Sequence, residues 1–543
     1  KTMKDTIEVT SVVDGRPDRM SLAIPPFGMP ADGLNIRLGD ERVAQEARII
    51  DYKRYAAEAF AHVNGIDKRV WGKPGAKIGF VAAGKNWLDL EHAMRLLNID
   101  ETEAERLGIT TYKIGQVFPL DMKGFHDWAE DLDLIVIVEE KRKLIEVQVK
   151  EAIFDDRQGR RVYGWYKGGA GGMHRDELFP TRWALDPIMI AEKLGEILIE
   201  EGRETDGIRA GLSALDDARR ADNAEELATR LPYFCSGCPH NTGTKLPDGS
   251  RAYAGIGCHF MVQWMDRETV GFTHMGGEGA NWIGEAPFSK TAHVFQNLGD
   301  GTYNHSGVQA IRAALAAGTN ITYKILFNDA VAMTGGQHNE GGLSADRIVR
   351  EVKAMGVEHV AVVYDEKEDV DFKALPGGVE THERAELMNV QKRYREIPGV
   401  SVIVYIQTCA AEKRRRRKRG QFPDPDKRVF INTDVCEGCG DCGVQSNCVS
   451  IVPAETELGR KRAIDQSSCN KDFSCVKGFC PSFVTLEGAK IRKDPTAELK
   501  LPDLPEPDLP VINGTHNVVI TGVGGTGVVT IGAVLAQAAQ IDG

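Results

Sequence analysis

The sequence has no cysteine before Cys235, no secretory signal pattern at its N-terminus and no excess of positive charge. A net charge of −12 argues against a nucleic-acid-binding role. Without a secretory signal, the eleven cysteines are expected to be reduced thiols that ligate metal in a cytoplasmic protein, rather than disulfides. Long apolar runs are scarce too. Only Val518 to Ile541 is uncharged over the length needed to span a bilayer, about 20 residues. Its glycines at 522, 524, 525 and 527 read instead as the loop between a strand and a helix of a soluble fold, so no membrane partner is expected. What remains is ordinary globular composition, 42% hydrophobic and 27% charged over 543 residues. That length suits three or four domains of roughly 100–200 residues each. The chain starts at Lys1 and stops inside an apparent helix at Gly543, so both ends read as cuts in a longer polypeptide.

Residues 1–75, with Pro25, Pro26 and Pro30 and no strong periodicity, predict a connecting arm with one helix near Asp51 to Val63. Over 76–165, strands near Ile78 to Ala82, Thr110 to Ile114 and Leu134 to Val138, with a helix at Leu88 to Leu97, predict a small, mostly parallel α/β domain. The glycine-dense stretch Gly164 to Gly172 and a helix near Pro187 to Glu200 predict a linker with helices over 166–229. A doubly wound α/β domain is expected over 230–412. Its strands lie near Ala292 to Leu298, Ile321 to Phe327, His359 to Tyr364 and Val400 to Ile406, with helices near Gly307 to Ala317 and Ser344 to Met355. A basic linker (413–429), a cysteine-rich module (430–490), a proline spacer (491–516) and a final glycine-rich strand-loop-helix (517–543) complete the chain.

Gly299-Asp300-Gly301 ends one predicted strand and Asn328 follows the next, 26 residues on. In a βαβ unit both lie at the carboxyl ends of neighbouring parallel strands, where a helix N-terminus can receive a diphosphate. Asp300, Asn328 and the Ala330 carbonyl offer the hard oxygens that Mg²⁺ takes, and Gly299 and Gly301 let backbone approach the phosphates. This spacing resembles the thiamine pyrophosphate motif of thiamine enzymes.

The cysteines fall into groups. Cys235, Cys238 and Cys258 surround the start of the second α/β domain and Cys409 arrives at the end of a later strand, a four-thiolate set that suits zinc or an iron-sulfur cluster. The runs Cys436-x2-Cys439-x2-Cys442-x5-Cys448 and Cys469-x5-Cys475-x4-Cys480-Pro481 resemble a two-cluster bacterial ferredoxin. That resemblance implies one 4Fe-4S cluster on Cys436, Cys439, Cys442 and Cys480. It implies a second on Cys448, Cys469 and Cys475, with Asp472 where a fourth cysteine would stand.

Gly115 to Leu120, Val138 to Glu140, Glu146 to Lys150, Phe234 to His240, Gly255 to His259 and Ala332 to Gln337, together with the cysteine module, resemble indolepyruvate ferredoxin oxidoreductases, particularly the long bacterial form with fused subunits. The resemblance implies a doubly wound thiamine pyrophosphate-binding domain, a smaller transketolase-C-like α/β domain and a ferredoxin-like α+β module. It implies oxidative decarboxylation of an aryl 2-oxoacid to an acyl-coenzyme A. Electrons would pass through two to three 4Fe-4S clusters to ferredoxin, first through the Cys235/Cys238/Cys258/Cys409 cluster, in a homo-oligomer. His305 and Thr334 would contact substrate or intermediate, and Met333, where pyruvate-specific relatives have asparagine, favours a bulky substrate. A non-redox thiamine decarboxylase and a metal-thiolate scaffold are the rival readings. The run Lys413 to Arg419 is either a solvated linker or a docking patch for acidic ferredoxin. Gly522 to Gly527 also fits a dinucleotide fingerprint, without an acidic partner before the chain ends.

Overall fold

The computed structural model of the chain describes residues 21–35, 37–168, 177–222, 231–489, 518–520 and 528–542. They divide into two compact units, 1–229 and 230–543.

In the first unit, β1 (Lys68–Arg69), β2 (Ile78–Ala83), β3 (Ile109–Ile114), β4 (Leu134–Val138) and β5 (Arg161–Tyr163) form one sheet in the order β1-β3-β2-β4-β5. Only β1 runs antiparallel, against β3. The central strands are apolar on both faces, as a parallel sheet covered on both sides requires. Phe80, Leu134, Val136 and Val138 pack on one side with Leu90 and Met94, while Val81, Ile135 and Ile137 pack on the other with Phe125 and Trp128.

The stretch expected as a linker belongs to this core. Helices Pro187–Glu200 and Asp206–Asp222 bury Ile190, Leu194, Ile197, Leu198, Ile208 and Leu215 in the cluster that holds Phe80 and Val136. The first helix is well started: the Asp186 carboxylate accepts from Met189 N–H at 2.9 Å and Pro187 takes the first turn. Glycine density at 164–172 was a poor guide, because an apolar stripe at i, i+4 and i+7 needs a sheet face to cover it. The arm's helix is also longer than expected, running from Arg42 through a π-turn at Ile49–Lys53 to Val63.

The second unit is built on a seven-stranded, wholly parallel sheet of β6 (Ala252–Ala254), β7 (Thr269–Phe272), β8 (Val294–Gly299), β9 (Ile321–Phe327), β10 (His359–Tyr364), β11 (Glu380–Glu383) and β12 (Val400–Ile406). Its order is β11-β10-β12-β9-β8-β6-β7. The chain leaves β6 for β7 on one side, then places β8 on the other side of β6. The crevice between the carboxyl ends of β6 and β8 is therefore a topological switch point, where such sheets bind ligands.

The cysteine module pairs β13 (Lys427–Ile431) with β16 (Phe483–Glu487) and β14 (Ile451–Thr456) with β15 (Gly459–Ile464), each antiparallel, with a short helix at Asp441–Ser446. It packs on the sheet domain through Lys245 Nζ to Gln445 O (2.9 Å) and Asn447 Nδ2 to Asn241 Oδ1 (3.0 Å). The basic stretch between them is ordered at its start, with Arg414, Arg415, Lys418 and Arg419 exposed. Ala410–Lys418 is helical, and Lys413 is buried against Glu368 at 3.1 Å. The proline spacer and the glycine fingerprint lie outside the described residues. Among those described, no helix is long and apolar enough to cross a membrane.

Candidate active site

A cavity of about 740 Å³ opens at the switch point, within the usual range for a small-molecule site. Gly299, Asp300, Gly301, Asn328, Ala330, His305 and Thr334 all line it, so the structure brings together the residues expected around the diphosphate and the substrate. Met333 and Cys258 line it as well.

Asp300 follows β8 and is 3% exposed. Its Oδ1 accepts from Gly301 N–H (2.9 Å), and its Oδ2 from Asn328 N–H (3.1 Å), Asp329 N–H (3.0 Å) and Asn339 Nδ2 (3.1 Å). Burial raises the carboxyl pKa to about 6, and these donors pull against that rise. Oδ1, with a single N–H, keeps acceptor capacity for a cation. Asn328, after β9, presents a side-chain oxygen that accepts from Ala330 N–H at 3.1 Å. These two hard oxygens on the wall of the same cavity suit Mg²⁺, which is held by one or two protein oxygens plus phosphate.

Sequence reasoning missed three members of this site. Asn339 arrives from a loop 39 residues after Asp300, with no local pattern to flag it. His240 and His259 line the cavity beside Cys258, almost fully buried, their rings 5.4 Å apart. Burial pushes the His240 pKa down to about 4 and drives His259 well below its usual value, so both rings are neutral. His240 Nδ1 and His259 Nε2 have no protein partner. The sequence motifs around Cys238 and Cys258 signal their thiols, and nothing in the local pattern signals the neighbouring His240 and His259. His305 and Thr334 are exposed on the cavity rim. His305 Nδ1 bonds Ser306 Oγ at 2.7 Å, and Thr334 Oγ1 donates to Gln337 Oε1 at 2.8 Å.

The thiols gather in three neighbourhoods. Burial raises the pKa of Cys238, and the charges of Cys235, Cys409 and Cys258 add to it. Cys442 is raised by burial and then by Cys436 and Cys480. Cys475 is pushed up to about 12 by burial and then by Cys448 and Cys469. Among the described residues no three His, Cys, Asp or Glu side chains close on a single metal ion.

Asp472, expected as the missing ligand, is engaged elsewhere. Its Oδ1 accepts from Arg384 Nη1 at 2.5 Å and Gln407 Nε2 at 3.1 Å, and its Oδ2 accepts from Ser474 Oγ. Burial raises its pKa, but Arg384 and Ser474 outweigh burial and the net shift is downward. As a cluster ligand it would have to abandon Arg384.

A family model described as "Indolepyruvate oxidoreductase domain" matches residues 68–222, and one described as "Thiamine pyrophosphate enzyme, C-terminal TPP binding domain" matches 255–404. The chain is similar to indolepyruvate oxidoreductase subunits. Among its relatives is indolepyruvate oxidoreductase subunit IorA of Thermococcus kodakarensis, 25% identical over 438 residues, covering 76% of this chain and 60% of that one. The subunit of the same name from Pyrococcus abyssi is 27% identical over 440 residues, with the same coverage. The chain thus spans about 60% of the length of the curated relatives it matches. A 2-oxoglutarate:ferredoxin oxidoreductase from Magnetococcus marinus overlaps 34% of this chain and 69% of its own at 19% identity, with a TM-score of 0.26, too low to build on. The first family match covers the helices 187–222 along with the first sheet, in line with their shared core. Asp300 and Asn328 lie inside the stretch 255–404 that matches the thiamine pyrophosphate-binding domain.

Proposed function

We propose that this chain is the thiamine and electron-transfer part of an enzyme that oxidatively decarboxylates an aryl 2-oxoacid of the indolepyruvate kind. The products would be CO2 and an acyl-coenzyme A, and ferredoxin would take up both electrons. The observation that carries the reading is Asp300 beside Asn328 in the switch-point cavity, buried and held by four N–H donors. Thiamine pyrophosphate, when bound, supplies the carbanion chemistry that lets a 2-oxoacid lose CO2. This chain's residues do the rest. Asp300, Asn328 and the Ala330 carbonyl would hold Mg²⁺ on the diphosphate, and Gly299 and Gly301 would admit it without a Cβ. His305 and Thr334 on the rim would orient the substrate, and the apolar Met333, 70% exposed, would offer its aryl group a surface. The neutral His240 and His259 can each give or take one hydrogen bond without adding charge.

Cys258 lines the same cavity as Asp300, which supports the Cys235/Cys238/Cys258/Cys409 set as the first electron acceptor. The sets Cys436/Cys439/Cys442/Cys480 and Cys448/Cys469/Cys475 would carry electrons onward. A homo-oligomer in the cytoplasm completes the proposal. Asp300→Ala should abolish thiamine pyrophosphate and Mg²⁺ binding in calorimetric titration while iron content stays the same. Unchanged cofactor affinity would remove the central claim, and an absence of iron and acid-labile sulfide in anaerobically purified protein would remove the electron-transfer part.

A further inference from the structure

Among the described residues, the basic run is a motif that the proposed function leaves unused. We propose that helix Ala410–Lys418 is a strut, with Arg416 as a positioning residue that holds the Asn328-Asp329-Ala330 turn in its cofactor-binding shape and ties it to the cysteine module. This deepens the thiamine pyrophosphate reading of that turn and rests on it.

The helix grips the cavity wall at both ends of one loop. Arg416 Nη2 pairs with Asp329 Oδ2 at 2.7 Å, and Arg415 Nη2 donates to Gly335 O at 2.9 Å. Just before the helix, Cys409 N–H donates to Asn328 O at 3.0 Å. Asp329 has φ +55, a left-handed conformation that Asp tolerates better than most residues but does not prefer. Its neighbours on either side, Asn328 and Ala330, are the ones that line the cavity. A guanidinium fixed on the Asp329 carboxylate therefore restrains the middle of the turn and, through it, both flanking residues.

The other face of the helix holds the cysteine module. Arg414 donates to Ser467 O, and Arg417 Nη1 donates to Asn470 O at 2.8 Å and to its Oδ1 at 3.1 Å. Asn470 Nδ2 returns a bond to Ala410 O at 2.9 Å. Arg414 and Arg417 stand three apart and so share one side of the helix, while Arg415 and Arg416 reach the cavity loop. Asn470 directly follows Cys469. One short helix thus joins the Mg²⁺-binding turn, Cys409 and the segment carrying Cys469, and Lys413 to Arg417 all find partners within the protein. These pairings give the run a structural use, while Lys418 and Arg419 stay exposed.

The test is Arg416→Gln in the full-length protein, with Arg416→Lys as the conservative rescue and Arg419→Gln as a neighbouring charge control. Titration with thiamine pyrophosphate and Mg²⁺ should show the dissociation constant raised about tenfold in Arg416→Gln, partly restored in Arg416→Lys and unchanged in Arg419→Gln. At saturating cofactor, kcat and iron per chain should match wild type. Asp329→Asn keeps the turn but loses the charge. It should weaken binding to the same degree, and the double variant should be no worse than either single one. Additive effects, or unaltered affinity in a folded Arg416→Gln, overturn the strut. So does an effect confined to the ferredoxin Michaelis constant at low salt, which would return the run to partner docking. If wild type itself fails to bind thiamine pyrophosphate, the reading of the cavity fails first and the strut falls with it.

Discussion

Replacing Asp472 separates two roles that a carboxylate in a cysteine module can have. Arg384 is 8% exposed and sits between two carboxylates, Asp365 Oδ2 at 3.0 Å and Asp472 Oδ1 at 2.5 Å. Removing one partner of a buried ion pair costs about 3–5 kcal/mol, because the remaining charge stays buried. Here Asp365 remains, so Asp472→Ala falls at the low end, about 3 kcal/mol. Gln407 and Ser474 also lose an acceptor, which keeps the loss from being smaller. At roughly 2–4 °C per kcal/mol for a large domain, the melting midpoint should fall by about 6 °C or more. Asp472→Asn, which still accepts hydrogen bonds but carries no charge, should lose about half as much. The assay is a thermal melt of anaerobically prepared protein, read beside iron and sulfide per chain. If Asp472→Asn melts with wild type while iron falls, the carboxylate serves the metal and the Arg384 account is wrong. If both variants are destabilised with iron retained, the Cys448/Cys469/Cys475 set holds its cluster through three thiolates.

Other perturbations probe the neighbouring parts. Asn339→Ala removes one of four donors to the buried Asp300 carboxylate, a charged hydrogen bond of about 1.5–3 kcal/mol, and should weaken Mg²⁺-dependent thiamine pyrophosphate binding by at least about tenfold in a calorimetric titration. Cys258→Ser in the complete enzyme should stop ferredoxin reduction yet permit substrate-dependent CO2 release; normal ferredoxin reduction would show that the first acceptor lies elsewhere. Lys324 is fully buried in β9, donating to Gly243 O at 2.8 Å, and burial pushes its pKa down to about 7. The unfolded chain binds the extra proton between that value and the ordinary lysine value, so wild-type stability rises with pH across that window. The stability of Lys324→Met relative to wild type should therefore fall from pH 7 to about pH 10 in denaturant melts; a flat or rising difference would contradict the burial account.

The strands of the second unit were legible where they are long and β-branched. Ile321–Phe327, His359–Tyr364 and Val400–Ile406 form at the expected bounds, because a strand covered on both faces is mostly apolar and β-branched. β11, Glu380-Thr-His-Glu383, carried no such signal: an edge strand bonds a neighbour on one side only and can be polar along its whole length. β6 and β7 are too short for periodicity to speak, yet β6 sets one wall of the crevice. At the site, Asp300 and Asn328 were legible as cavity residues because the βαβ pattern puts both at the carboxyl ends of neighbouring parallel strands. His240 and His259 stood inside quoted motifs without being chosen, since two neutral buried rings follow from burial, which sequence does not report.

The residues misread from sequence have a common physical origin. Asp472 meets Arg384 across 88 positions, Arg416 meets Asp329 across 87 and Asn339 meets Asp300 across 39. Periodicity reports which face a residue occupies; it carries nothing about which distant residue will share that face. Burial supplies the missing rule. A charge that enters the interior must be paired or neutralised, because leaving it alone costs more than most contacts return. Each buried charge here therefore implies a cation or a set of N–H donors to meet it, and the partners found cross from the sheet domain to the cysteine module or from one loop of the cavity to the next. Asp472 and the basic helix work in the same direction. Arg384 draws the segment between Cys469 and Cys475 onto the sheet domain beside β11 and β12, and Arg417 draws Asn470 onto the helix that leaves β12. The segment is held from two sides by cations belonging to the thiamine domain. Its position relative to Cys409 is thus set by charge pairing, in a chain that is acidic as a whole.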